Sequence, residues 1–476
     1  MILNSFPFVL FIIPVFFLYW LVDQKHKWIV LLLSSYVFYA FSSLKYLILL
    51  LITTAVSYFL AKLIHDAPKE NKSKLLAFGI AVCLIPLFTF KYLDFSIDIV
   101  NSLFRKDYHF YNLLLPLGIS FYTFEAISFL VDTAKGYGYT LNGHFGHYAT
   151  YLAFFPTVTS GPIERYNRIS EQFEQDKQFN YDEATYGLKL IAYGLFKKIV
   201  IADGIAKYIT PVFNTVNVVY GFALIVIVVL YPFQIYADFS GYSDMARGIA
   251  KLFGIDLSIN FDSPYLSTSF KEFWSKWHIS LSTWLKDYIY IPLGGNRKGR
   301  FRKYLNLIMT FLVSGLWHGA NITFVLWGLI HGLLQVLEDV FSIKSVKKQF
   351  SIKWFIRFFF FFVLVTLTWI PFRANNVHDL THIININNIL YGISEGFIKY
   401  VNTGLDLFLF GKKIIILLLF VLFSYFVDYF VSKGTNVLQL TNRLHPLLRW
   451  TIYVVFTLVI IYFSEKGTAE FIYIAF

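Results

Sequence analysis

Apolar residues run along this chain in long blocks, separated by short basic or polar breaks. Blocks stand out at residues 6–22, 28–43, 45–64, 75–95, 113–132, 186–208, 218–238, 304–320, 321–340, 354–371, 412–431 and 449–465. A helix needs roughly 20 apolar residues to cross a bilayer, and several blocks are shorter than that. The pattern predicts an all-α polytopic membrane protein with about eleven transmembrane helices, the rest of the blocks forming re-entrant or interfacial helices. The first block continues past residue 16, follows no basic segment and precedes no small-residue cleavage site. It reads as a membrane span rather than a cleavable signal. The least apolar stretches are 133–148, 160–185, 256–303 and 372–411, and none is long enough for an independent core. Residues 1–476 therefore read as a single integral-membrane domain. The two halves show no symmetry, which counts against a transporter built on inverted repeats.

Composition agrees with this reading: 57% of residues are hydrophobic and only 15% charged, which excludes a soluble globule. The net charge of +12 is concentrated in clusters. Lys25 and Lys27 follow the first block, and Lys69, Lys72 and Lys74 follow the third. Arg297, Lys298, Arg300, Arg302 and Lys303 precede the block at 304–320, while Lys344, Lys347, Lys348 and Lys353 follow the next. The positive-inside rule places all four clusters in the cytoplasm and the N-terminus outside. Blocks 304–320 and 321–340 then form a hairpin that rises from the cytoplasm and returns. The one cysteine, Cys83, lies in an apolar block, which excludes an internal disulfide and any cysteine-built metal site.

The hairpin carries the first candidate chemistry. Ser314-Gly-Leu-Trp-His-Gly-Ala-Asn321 places His318 about 21 Å of helix above Tyr304, toward the outer half of the bilayer. Ionisable groups at that depth are costly and serve a partner or a function, and a histidine there can move a proton near neutral pH. Ser314 and Gly315 share its face, so a substrate or a neighbouring helix can approach closely. On the return helix His331, Gln335 and Glu338 form a polar stripe suited to interhelical hydrogen bonds. Gly328 and Gly332 form a small-residue contact face. Residues 269–286 predict an amphipathic helix in the membrane interface, with Trp274, Trp277, His278, Leu281, Trp284 and Leu285 on one face. His278 is then either part of an anchor or turned toward the cavity of His318. Asp238 and Asp244, beside a span, need partners, and Arg247 lies within reach of Asp244. Ser160-Gly-Pro-Ile-Glu-Arg165 reads as the turn of a re-entrant loop, tolerated only under a cover of protein or water. The sequence contains no phosphate-binding loop, nucleophile elbow or zinc-protease pair.

Several of these segments, taken in order, resemble one family. They are Asp238-Phe-Ser-Gly-Tyr-Ser-Asp-Met-Ala246, Phe273-Trp-Ser-Lys-Trp-His-Ile-Ser-Leu-Ser-Thr-Trp284, Asp287-Tyr-Ile-Tyr-Ile-Pro-Leu-Gly-Gly-Asn-Arg297 and Gly315-Leu-Trp-His-Gly-Ala320. With Ser160–Arg165 and Trp369-Ile-Pro-Phe-Arg-Ala374 they look like the membrane-bound O-acyltransferase (MBOAT) family, in its bacterial alginate O-acetyltransferase branch. The resemblance spans essentially the whole chain. It implies membrane helices arranged around a central tunnel, with His318 matching the family's invariant histidine and His278 its second polar position. It further implies acetyl-CoA or a similar cytoplasmic thioester as donor substrate, with no cofactor. The implied acceptor is a hydroxyl outside the membrane, on a polysaccharide or on a secreted SGNH-type acetyltransferase that completes the transfer.

Acyl transfer to an alcohol needs a base for the hydroxyl proton and donors for the tetrahedral oxyanion. His318 and His278 are the catalytic candidates. Arg297, Lys298 and Arg300 are candidates to hold the diphosphate of the donor. Asp238, Ser314, Asn321 and His331 are supporting candidates, and no metal is needed for a thioester that is already activated. Two other readings remain: a D-alanyl transferase acting on teichoic acid, and a polysaccharide transporter coupled to protons.

Overall fold

The computed structural model describes residues 1–137, 144–346, 351–394 and 407–464. Lys347 and Lys348 of the predicted cytoplasmic clusters lie outside the described residues. Among the described residues there is no strand, and each apolar block falls on a helix. Among the described residues seven helices are long and apolar enough to cross a membrane: Leu44–Asp66, Lys69–Phe104, Phe222–Leu252, Ile322–Val340, Ile352–Arg373, Ile414–Val431 and Pro446–Phe463. The sequence pattern predicts about eleven crossings, and the shortfall has identifiable causes. Phe6–Leu21, Lys27–Ala40 and Ile119–Ala134 are 16, 14 and 16 residues long. The block at 186–208 passes from Tyr181–Leu195 into the π-helical turn Phe196–Ala202, which buries Lys197 and Lys198. Gly299–His318 opens on Arg300, Arg302 and Lys303, which lower its mean hydropathy.

The exposed surface is that of a protein in lipid. Ile352–Arg373 starts at Ser351, whose hydroxyl accepts from the Trp354 N–H at 3.2 Å. It buries Trp354, Phe361, Trp369 and Phe372, while Phe355, Ile356, Phe359 and Phe360 are 61–65% exposed. A phenyl-rich stripe of that kind has hydrocarbon as its natural solvent.

The chain divides into two compact units. One comprises Met1–Ile191 and Tyr242–Ile259, the other Ala192–Gly241 and Asn260–Phe476. In the first, Ile119–Ala134 is buried along nearly its whole length. The break at Ser160–Arg165 is covered by protein, as a re-entrant turn requires: Thr157 to Glu164 are all buried. Glu164 accepts from Arg168, one turn into the helix Tyr166–Glu174, at 2.8 Å, and from the Ser258 hydroxyl at 3.0 Å. Arg247 pairs with Asp244 at 3.4 Å, as their spacing predicts. The second unit contains both candidate catalytic histidines and all the other candidate residues.

Candidate active site

The hairpin forms as predicted, with its rising helix starting five residues early. Gly299–His318 rises and Ile322–Val340 returns. Glycines set how closely the two helices pack. A Cβ on Gly315 would lie 2.2 Å from the Phe324 carbonyl oxygen, one on Gly328 2.3 Å from that of Phe311, and one on Gly332 3.0 Å from the Ile308 Cα. Gly315 therefore admits the neighbouring helix rather than a substrate. At the other end Lys303 pairs with Asp339 at 2.6 Å and the Tyr304 hydroxyl donates to the same carboxylate at 3.0 Å.

His318 is the last residue of the rising helix, about 28 Å along its axis from Gly299. It is buried, and its ring packs against Trp317, Trp327 and Phe372 at centroid distances of 5.0, 5.1 and 5.1 Å. Asn321 caps the return helix. Its side-chain oxygen accepts from the Thr323 N–H at 3.0 Å, and its amide donates to the Asn375 carbonyl at 2.8 Å. Its part in the site is thus to hold the turn after His318. Ser314, one turn before His318, is buried on the same helix.

Residues 269–286 do not form one interfacial helix. They fold as two short helices, Phe270–Trp274 and Ile279–Leu285, broken at His278, whose φ is +44°. The predicted face is the buried one, since Trp274, Trp277, His278, Leu281, Trp284 and Leu285 are all buried. These tryptophans therefore pack inside the protein rather than in the headgroup layer. The periodicity identified which side chains are covered, but not what covers them. His278 lies outside the spanning helices, and its complete burial pushes its imidazole below the usual pKa range.

The structure brings the two candidate histidines to one tryptophan. Trp317 meets the His278 ring at 5.9 Å and the His318 ring at 5.0 Å. Phe239 packs edge-on against His278 at 4.6 Å. His331 belongs to the frame of this site: its Nδ1 accepts from the Trp274 indole at 3.3 Å, tying Phe270–Trp274 to the return helix. Glu338, from the same polar stripe, accepts from the backbone N–H groups of Phe270 and Lys271 at 2.5 and 3.0 Å. His331 and Glu338 of the stripe therefore bond across to the neighbouring segment, as predicted for them. Asp238 is also structural, paired at 2.8 Å with Lys198, which pairs with Asp203 at 2.8 Å as well, all three buried.

Three residues escaped the sequence reading. Lys198 had a visible signal, as a lysine inside an apolar block. Trp327, against His318, and Asn260, whose side-chain oxygen lies 3.1 Å from His278 Nδ1, had none. Trp327 and Trp369, with ring centroids 6.0 Å apart, each bury an indole N–H that has no acceptor among the described residues.

Arg297, Lys298 and Arg300 are exposed at the start of the rising helix. The loop around them is shaped by left-handed backbone at Gly294, Gly295 and Gly299. It is pinned by Asn306, which donates to the Gly295 carbonyl at 3.0 Å. The three cations are thus presented together at a helix N-terminus, an arrangement that favours anions.

The model of MBOAT, the membrane-bound O-acyltransferase family, matches residues 31–372. The chain belongs to that family, and it is a multi-pass membrane acyltransferase. It is 37% identical to "Probable alginate O-acetylase AlgI" of Pseudomonas putida, over 79% of this chain and 78% of that one. It is 35% identical to "Peptidoglycan O-acetyltransferase" of Helicobacter pylori, over 82% of this chain and 80% of that one. It is 31% identical to "Teichoic acid D-alanyltransferase" of Streptococcus thermophilus, over 49% of this chain and 59% of that one.

Proposed function

We propose that this chain takes an acetyl group from acetyl-CoA on the cytoplasmic side and delivers it across the membrane for O-acetylation of an extracytoplasmic polysaccharide. The acceptor polymer is alginate-like, peptidoglycan or another wall polymer, and a secreted SGNH-type acetyltransferase completes the transfer. The observation that carries the reading is the pair of buried histidines, His278 and His318, packed on Trp317. In this reading His318 takes the proton of the attacking hydroxyl as its oxygen bonds to the thioester carbonyl carbon. The tetrahedral oxyanion draws on the indole N–H groups of Trp327 and Trp369. Its collapse breaks the carbon–sulfur bond, and the thiolate leaves with the proton held by His318. Arg297, Lys298 and Arg300 grip the donor's diphosphate at the cytoplasmic mouth.

The names of the relatives matched over about four-fifths of this chain support acetyl over D-alanyl transfer. The D-alanyl relative is matched over 49% of it. Deleting the gene and measuring ester-linked acetate and D-alanine on surface polymers tests the choice. Loss of acetate with D-alanine unchanged is expected; the reverse would establish the D-alanyl reading.

A further inference from the structure

Asn260 holds three consecutive residues. Its backbone carbonyl accepts from the Ile279 N–H at 2.9 Å. Its side-chain oxygen accepts from the Ser280 N–H at 3.1 Å and the Ser280 hydroxyl at 2.8 Å, and lies 3.1 Å from His278 Nδ1. Ile279 and Ser280 open the helix Ile279–Leu285, whose N-cap, His278, makes no side-chain cap bond. The first N–H groups of a helix need acceptors, and here Asn260, from an earlier segment of the chain, supplies two. These bonds also hold His278 in its left-handed conformation, which a non-glycine residue adopts only at a cost.

The Ser280 N–H is solely a donor, so the side-chain atom of Asn260 facing it is the carbonyl oxygen. The same oxygen faces His278 Nδ1, and two acceptors cannot bond one another, so Nδ1 carries the hydrogen. Which ring nitrogen of a histidine is protonated is set by the bond its other nitrogen makes. The rings of Phe239, Phe261 and Trp317 pack on His278, and none of the three carries a charge.

We infer that Asn260 is a positioning residue for His278, holding its imidazole as the Nδ1–H tautomer so that Nε2 accepts the hydrogen bond of the incoming acceptor hydroxyl, which then turns its one hydrogen to His318 for the attack. This rests on the proposed role of His278 in acyl transfer and makes that role specific. An Nε2 that only accepts can hold the incoming hydroxyl until its hydrogen turns to His318, whereas it cannot stabilise the oxyanion.

Two measurements test this. The first is the pH–rate profile of thiol release from acetyl-CoA by the full-length Asn260→Asp enzyme. A carboxylate on Nδ1 favours the imidazolium, which has no Nε2 lone pair. The acidic limb should move up by roughly 1–3 pH units, with activity regained at higher pH. Asn260→Ala should lower kcat roughly 10–100-fold at every pH, with the donor KM unchanged. The second reads the wild-type protein itself: 15N spectra of histidine-labelled enzyme, with His278 assigned through His278→Gln, should show Nδ1 protonated and Nε2 bare. An Asn260→Asp profile superimposable on wild type, or an Nε2–H tautomer, overturns the inference. Full activity in His278→Ala would instead overturn the role of His278 on which it rests.

Discussion

Lys198 lies within an apolar helical segment and has two carboxylates at 2.8 Å, Asp203 and Asp238. Removing one member of a buried ionic cluster strands the others. Lys198→Met should therefore cost roughly 3–5 kcal/mol, read as lower thermal stability in detergent, and adding Asp203→Asn and Asp238→Asn should recover much of it. His278 calls for a different test, because its burial fits both a packing residue and a site residue. His278→Ala should cut turnover with the amount of folded protein unchanged; lost stability with intact specific activity would make it a packing residue only. Both histidines could be read from the sequence because their type is costly where their neighbours place them. Asn260 could not, since nothing in Ile259-Asn-Phe261 marks a residue whose partners are His278 and Ser280.

Among the elements, the hairpin is the best determined by sequence. Its glycines lie where the pattern puts them and set the helix contact, and His331 and Glu338 of its polar stripe bond to the neighbouring segment. Gly315 gives the sharpest test. Because the atom facing it is the backbone carbonyl of Phe324, at 2.2 Å from an added Cβ, the return helix must move as a unit. Gly315→Ala should therefore destabilise by roughly 1–3 kcal/mol, measured as a fall in Tm. The stretch 269–286 shows where periodicity stops being informative. It contains no proline or glycine to signal a break. The break at His278 comes from bonds to Asn260, and local propensity does not register a tertiary contact.

For the whole molecule, the positive-inside rule applied to the four basic clusters predicts one orientation to be tested, with the N-terminus outside and the start of Gly299–His318 in the cytoplasm. A cysteine introduced at residue 299 in a Cys83→Ser background should react with an impermeant reagent only from the cytoplasmic side. The same map separates topology from binding at the mouth. With residue 299 still cytoplasmic, Arg297→Gln combined with Arg300→Gln should raise the KM for acetyl-CoA and affect a short acyl thioester lacking the nucleotide far less. An unchanged KM for both donors would leave these arginines with topology alone. The account as a whole depends on acyl transfer at His318. Purified wild-type protein given labelled acetyl-CoA should release free thiol, and His318→Ala should do so roughly 10²–10⁴-fold more slowly while folding in equal amount. Thiol release by His318→Ala within about threefold of wild type would contradict the assignment of His318 as the base.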